Sequence, residues 1–69
     1  IKSQIDGEFK GWEGETIFKL INGQIWQQSS YDYIYHYAYM PEVQIYETTG
    51  GYIMKVEDVD ETVEVIRMK

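Results

Sequence analysis

The stretch Glu42-Val43-Gln44-Ile45-Tyr46-Glu47-Thr48-Thr49-Gly50-Gly51-Tyr52-Ile53-Met54-Lys55-Val56-Glu57 decides the fold. Two apolar-alternating arms flank a Thr-Thr-Gly-Gly corner, the pattern of an antiparallel hairpin. Pairing Glu47 with Tyr52 sets Ile45 opposite Met54 and Val43 opposite Val56. All four apolar side chains then share one face, while Gln44 and Lys55 point away. Turn chemistry and side-chain pattern select the same register, and Pro41 just upstream suits a strand entry, where its missing N–H costs no ladder bond.

Moving toward the N-terminus, Asn22-Gly23 is a second corner. Both residues tolerate positive φ, as a two-residue hairpin loop requires. It joins a strand near Glu15–Ile21 to one near Gln24–Ser29, with two possible registers. A two-residue loop sets Leu20 opposite Ile25. A type I turn with a bulge at Gly23 pairs Leu20 with Gln24 and Phe18 with Trp26. The second register gathers Phe18, Leu20 and Trp26 on one face, and the sequence leaves both open. A first strand is expected over Gln4–Trp12, with Gly7 and Gly11 marking bulges, bends or close backbone approach. Toward the C-terminus, Val63-Glu64-Val65 alternates again, and Glu57–Thr62 reads as a tight loop or one helical turn. No segment holds a helical period for three turns. The expected architecture is one all-β domain over residues 1–69. It is a small, strongly bent, five- or six-stranded antiparallel SH3-like barrel, because closure removes exposed strand edges. An OB-like barrel is the lesser choice, since nothing resembles its intervening helix.

Composition supports a small folded domain. The 69 residues are 43% apolar and 16% aromatic, with no cysteine. Disulfide scaffolding and cysteine-based zinc sites are therefore excluded. Six basic against twelve acidic residues give a net charge of −6, which opposes nucleic acid and anionic membranes, both of which reward Lys and Arg. The chain begins at Ile1, so an upstream segment is expected, and Ile1–Lys10 lacks the continuous apolar region of a signal peptide.

The run Phe9-Lys10-Gly11-Trp12-Glu13-Gly14-Glu15-Thr16-Ile17-Phe18-Lys19-Leu20, continuing through Ile21-Asn22-Gly23-Gln24-Ile25-Trp26-Gln27-Gln28, resembles small, largely uncharacterised bacterial proteins built around an Asn-Gly-Gln-x-Trp hairpin. Pro41-Glu42-Val43-Gln44-Ile45 and Gly50-Gly51-Tyr52 are similar to that family's later landmarks. The resemblance spans about Phe9 to Arg67. It implies turns and core positions, and it carries over no catalytic residue.

The most distinctive feature is chemical. Tyr31, Tyr33, Tyr35, Tyr37 and Tyr39 alternate without interruption. In an extended segment the five rings share one face, with Asp32, Ile34, His36, Ala38 and Met40 on the other. Such a row is either architecture, packing rings on a barrel rim or against another subunit, or a binding platform for sugars, peptides or other small molecules. The preferred reading is structural or subunit packing, since sheets favour aromatics intrinsically. As a platform, Tyr31, Tyr33, Tyr35, Tyr37 and Tyr39 would act with Trp26 or Trp12. Single-strand nucleic acid would need Lys or Arg among the rings, and Ser29–Glu47 has neither.

Other candidates are weaker. Glu57, Asp58, Asp60, Glu61 and Glu64 lack the glycine and loop length of a calcium site and read as a solvated connection. His36 with Ser29, Ser30 and Asp32 lacks the geometry of a nucleophilic triad. Scattered carboxylates such as Glu8, Glu13, Glu15, Glu42 and Glu47 would need a deep cleft to act as an acid–base pair. No catalytic residue, metal or cofactor is expected. The expected function is a non-catalytic interaction module, whose partner is a protein or another copy of the chain. Binding of a small molecule, glycan or peptide through the tyrosines is the second reading.

Overall fold

The computed structural model describes residues Ile1–Lys69. It contains eight strands and no helix. They are β1 (Lys2–Gln4), β2 (Glu8–Trp12), β3 (Ile17–Lys19), β4 (Ile25–Gln28), β5 (Ile34–Tyr39), β6 (Glu42–Thr48), β7 (Gly51–Val56) and β8 (Thr62–Arg67). Six form one antiparallel, strongly curled sheet in the order β1-β6-β7-β8-β4-β3, and β2 pairs with β5 as a separate ribbon. The main sheet has the strand number and bend that the turn spacing predicts, and the ribbon is an addition to it.

The β6–β7 hairpin forms in the expected register, with Val43 opposite Val56, Ile45 opposite Met54 and Glu47 opposite Tyr52. β8 extends the same apolar face by pairing Met54 with Val63. The Glu57–Thr62 connection is a tight loop containing Asp58 at φ 66°. Its acidic residues are exposed, while Val59 turns into the core. The Lys55 ammonium donates to the Val56 and Val59 carbonyls across that loop.

At Asn22-Gly23 the structure selects the bulged register. Phe18 faces Trp26, the Leu20 N–H donates to the Gln24 carbonyl at 3.0 Å, and Gly23 takes φ 91°. The reason is burial. This register places Phe18, Leu20 and Trp26 together inside, whereas the two-residue loop would have turned Trp26 to the opposite face. The Asn22 side chain accepts from the Gln24 N–H at 3.0 Å and holds the corner.

The single expected strand over Gln4–Trp12 is instead broken at Gly7, which adopts φ 95°. Each half serves a different sheet. β1 pairs with β6, and β2 leaves to pair with β5. Between them Ile5 bridges to Leu20, with Asp6 N–H donating to Lys19 O at 2.8 Å and Ile21 N–H to Gln4 O at 3.0 Å. These bonds draw the two outer edges of the curled sheet together. The β2–β5 ribbon lies over the same interior and contributes Phe9 and Trp12, with Ile34 and Ala38 packed against them. Phe9 meets Trp12 edge-on at 6.2 Å between ring centroids and Phe18 at 6.5 Å. One continuous core results.

Candidate functional site

The ribbon owes its shape to Gly11. The β2–β5 register pairs Glu8 with Tyr39 and Phe9 with Ala38, then shifts so that Gly11 pairs with Tyr35 and Trp12 with Ile34. Gly11 sits at φ 101°, and a Cβ there would overlap the Ile34 carbonyl oxygen. The bulge re-aims β2 so that Phe9 and Trp12 both point inward despite their odd spacing. Large side chains on β2 then face smaller ones on β5, with Phe9 set against Ala38.

Alternation on β5 leaves the tyrosines outside. Ile34, His36 and Ala38 are half-buried, while Tyr35, Tyr37 and Tyr39 are exposed. Relative exposures run from 52% at Tyr37 to 90% at Tyr31. Turning these rings inward would bury phenol hydroxyls without partners, at about 1–3 kcal/mol for each unsatisfied group. The rings are therefore not barrel-rim packing within this chain. Tyr31 and Tyr33 precede the strand, so the expected row of five becomes three strand tyrosines with two leading ones. Tyr33 and Tyr35 border a groove of about 370 Å³ with Glu8, Lys10, Trp12 and Glu13. Tyr31 lies beside a second groove at Glu13–Thr16.

Trp26 does not belong to this face. It is 1% exposed, its indole N–H donates to Gln24 Oε1 at 3.1 Å, and its ring meets Tyr52 edge-on at 5.2 Å. Its place in the Phe18 pairing, inside the sheet, removes it from any surface role. Trp12 is 2% exposed and reaches only the floor of the Tyr33–Tyr35 groove.

Two residues organise the site that sequence reasoning did not single out for it. Gln28 is buried and makes the connection to the leading tyrosines. Its Oε1 accepts from the Gly14 N–H at 2.7 Å, and its Nε2 donates to the Asp32 carbonyl at 3.0 Å. Its spacing two positions after Trp26, which puts both on one face of an extended strand, is the only sequence signal for it. Glu8, on β2, accepts a hydrogen bond from the Tyr37 hydroxyl at 3.2 Å. That bond, then the carboxylate's charge, raises the Tyr37 phenol above its ordinary pKa. His36 is on the opposite face of β5 from the rings, and Ser30 donates to Asp32 at 3.1 Å without either bonding His36.

The largest groove, about 500 Å³, lies elsewhere, along β1 and β6. It mixes Lys2 and Lys55 with Glu42 and Glu57, so it presents no single charge to a ligand. The tyrosine face gathers one side-chain type by contrast, with Lys10, Glu8 and Glu13 confined to the groove beside it. No family model, curated protein or solved structure matches the chain.

Proposed function

We propose that this protein is a non-catalytic recognition module on an SH3-like barrel scaffold, and that it meets a protein partner through the tyrosine face of the β2–β5 ribbon. The carrying observation is that all five tyrosines of one nine-residue segment are more than half exposed. Tyrosine suits such a surface because its ring offers a large, stiff contact area at low entropic cost and its hydroxyl keeps the free face wettable. Aromatic side chains clustered on a surface are a recurrent mark of interaction sites. The acidic balance and the lack of Lys and Arg in Ser29–Glu47 support protein rather than nucleic acid or membrane as partner. The resemblance to the bacterial Asn-Gly-Gln-x-Trp hairpin proteins supports the scaffold alone.

A Tyr35→Ser, Tyr37→Ser double variant tests the reading. Both side chains are outside the core, so the fold is expected to survive by circular dichroism while protein association is lost. Association that is equal in the two proteins overturns it. The second reading, a glycan or peptide held in the Tyr33–Tyr35 groove over Trp12, is favoured by the groove's volume. It predicts a saturable change in tryptophan fluorescence with a ligand panel, which a purely protein-directed face does not give.

A further inference from the structure

The two sheets present four edges, β1 and β3 in one and β2 and β5 in the other. Exposed edges invite pairing with another chain, and proteins blunt them with short strands, charges, proline or bulges. Three of these edges are blunted. β1 and β3 have three residues each, carry Lys2 and Lys19, and are tied to each other through Ile5 and Leu20. β2 carries Glu8, Lys10 and the Gly11 bulge. β5 has six residues, Ile34-Tyr35-His36-Tyr37-Ala38-Tyr39, with no lysine, carboxylate, proline or bulge of its own.

The hydrogen-bond parity says which groups are free. Met40 N–H donates to Gly7 O at 2.8 Å, in phase with the Phe9–Ala38 pair. Even-numbered residues of β5 therefore turn their backbone groups toward β2, and Tyr35, Tyr37 and Tyr39 turn theirs outward. No hydrogen bond outside the strand ladders uses the backbone of these three tyrosines, and no third strand pairs with β5.

We infer that this edge pairs with the same edge of a second copy, antiparallel about a two-fold axis at His36. The sequence supplies the self-complementarity that such an isologous contact needs. Tyr33-Ile34-Tyr35-His36-Tyr37-Ala38-Tyr39 reads alike in both directions except that Ile34 and Ala38 exchange. Antiparallel pairing about His36 sets Tyr35 opposite Tyr37, exchanging the free N–H and C=O groups. It also sets ring beside ring on the outer face and Ile34 beside Ala38 on the inner one. Any other register loses one of these matches. The segment has no Lys, Arg, Asp or Glu, so two chains of net charge −6 meet there without opposing carboxylates within the strands. The inference rests on the proposed role of the ribbon as the contact region, but uses main chain where that proposal uses rings.

Sedimentation of the full chain across a concentration series tests it, together with amide hydrogen exchange. The expected result is a reversible monomer–dimer equilibrium, with Tyr35 and Tyr37 amides slowing as concentration rises. A central residue facing its own copy in a non-hydrogen-bonded pair has a Cα separation of about 4.5 Å, within disulfide range. In this cysteine-free chain, His36→Cys should therefore cross-link under mild oxidation at least about tenfold faster than Ala38→Cys, through its higher effective concentration. Tyr37→Pro removes an outward donor without a bond to β2 and should abolish the dimer. Tyr37→Ser keeps that donor and should only weaken it. A single monomeric species up to about 1 mM protein overturns the inference, as does equal cross-linking of the two cysteine variants. A dimer lost with the rings but showing no Tyr35 or Tyr37 amide protection overturns edge pairing and leaves the tyrosine-face proposal standing. Protection that persists in the Tyr35→Ser, Tyr37→Ser variant does the reverse.

Discussion

The β6–β7 hairpin and the β2–β5 ribbon are both antiparallel pairs with period-two side chains, yet they resolve the question of inside and outside differently. In β6–β7 the aliphatic face holds Val43, Ile45, Met54 and Val56, all buried, and the other face is largely polar. Only one orientation is affordable. In β5 the choice lies between tyrosines and the set Ile34, His36 and Ala38. The larger apolar area belongs to the face that ends in water. Hydroxyls explain part of this, because each ring turned inward brings a polar group needing a partner. The rest comes from β2, whose Phe9 and Trp12 already fill the space beneath the ribbon. What the contrast teaches is that alternation groups residues into faces, while the available core volume chooses between them.

The contrast is broken most severely by truncating an aromatic on each side of it. Trp26→Ala is expected to cost about 3–5 kcal/mol, enough to unfold much of so small a domain at room temperature. Tyr35→Ser should change stability by no more than about 0.5 kcal/mol. Urea denaturation of both variants measures the gap, and comparable losses would mean that the tyrosine face is packed.

The next test separates two glycines. Gly7 and Gly11 both hold positive φ, so an alanine at either carries strain of about 1–3 kcal/mol. Space is open around Gly7, whereas a Cβ at Gly11 collides with the Ile34 carbonyl. Gly11→Ala should therefore lower the denaturation midpoint more than Gly7→Ala, and should speed amide exchange in β2 and β5 while sparing β6 and β7. Equal midpoints would show that the ribbon yields easily to the intruding methyl.

Gln28→Ala probes how the leading tyrosines are tied down. It removes the bonds to Gly14 and Asp32 and should cost about 1–2 kcal/mol. Faster amide exchange is expected across Ser29–Tyr33, with β6–β7 unchanged. The smallest effect belongs to Glu8→Gln. Removing the carboxylate should bring the Tyr37 phenol back down toward its ordinary value of about 10, read from the alkaline titration of its ring signals by NMR. Because the folded-state value is raised, the contribution of this contact is complete below the unfolded phenol value and is lost as pH rises through the folded one. A Tyr37 titration unchanged by Glu8→Gln would remove the carboxylate from the face's electrostatics.

Much of the fold is legible from local chemistry. Thr48-Thr49-Gly50-Gly51 and the flanking alternation specify the β6–β7 register, since a slip by one residue would expose every apolar side chain. Asn22-Gly23 marks a corner, but its two registers differ in whether Ile25 or Trp26 shares a face with Phe18 and Leu20, a question answered by the interior they enter. The split at Gly7 is less legible. A glycine in a strand marks a bend, and the partner each half takes depends on β6 and β5, more than twenty residues away in the chain.

The candidate site divides the same way. The alternation of Tyr31 through Tyr39 and the absence of nearby Lys and Arg stand in the sequence. Trp26 is indistinguishable there from a surface aromatic, and Gln28 and Glu8 look like ordinary polar residues. Their roles come from partners at Gly14 and Tyr37 that only folding brings near, and from the local turn that returns Asp32 to Gln28. What this chain determines by itself is therefore its set of short strands, its turns and the side chains that travel together on each face. These follow from backbone sterics and a two-residue period, both local. Which face meets water, which strand edge stays open and which polar groups find one another was decided only by tertiary structure. Those outcomes depend on how a limited interior volume is shared among segments distant in sequence.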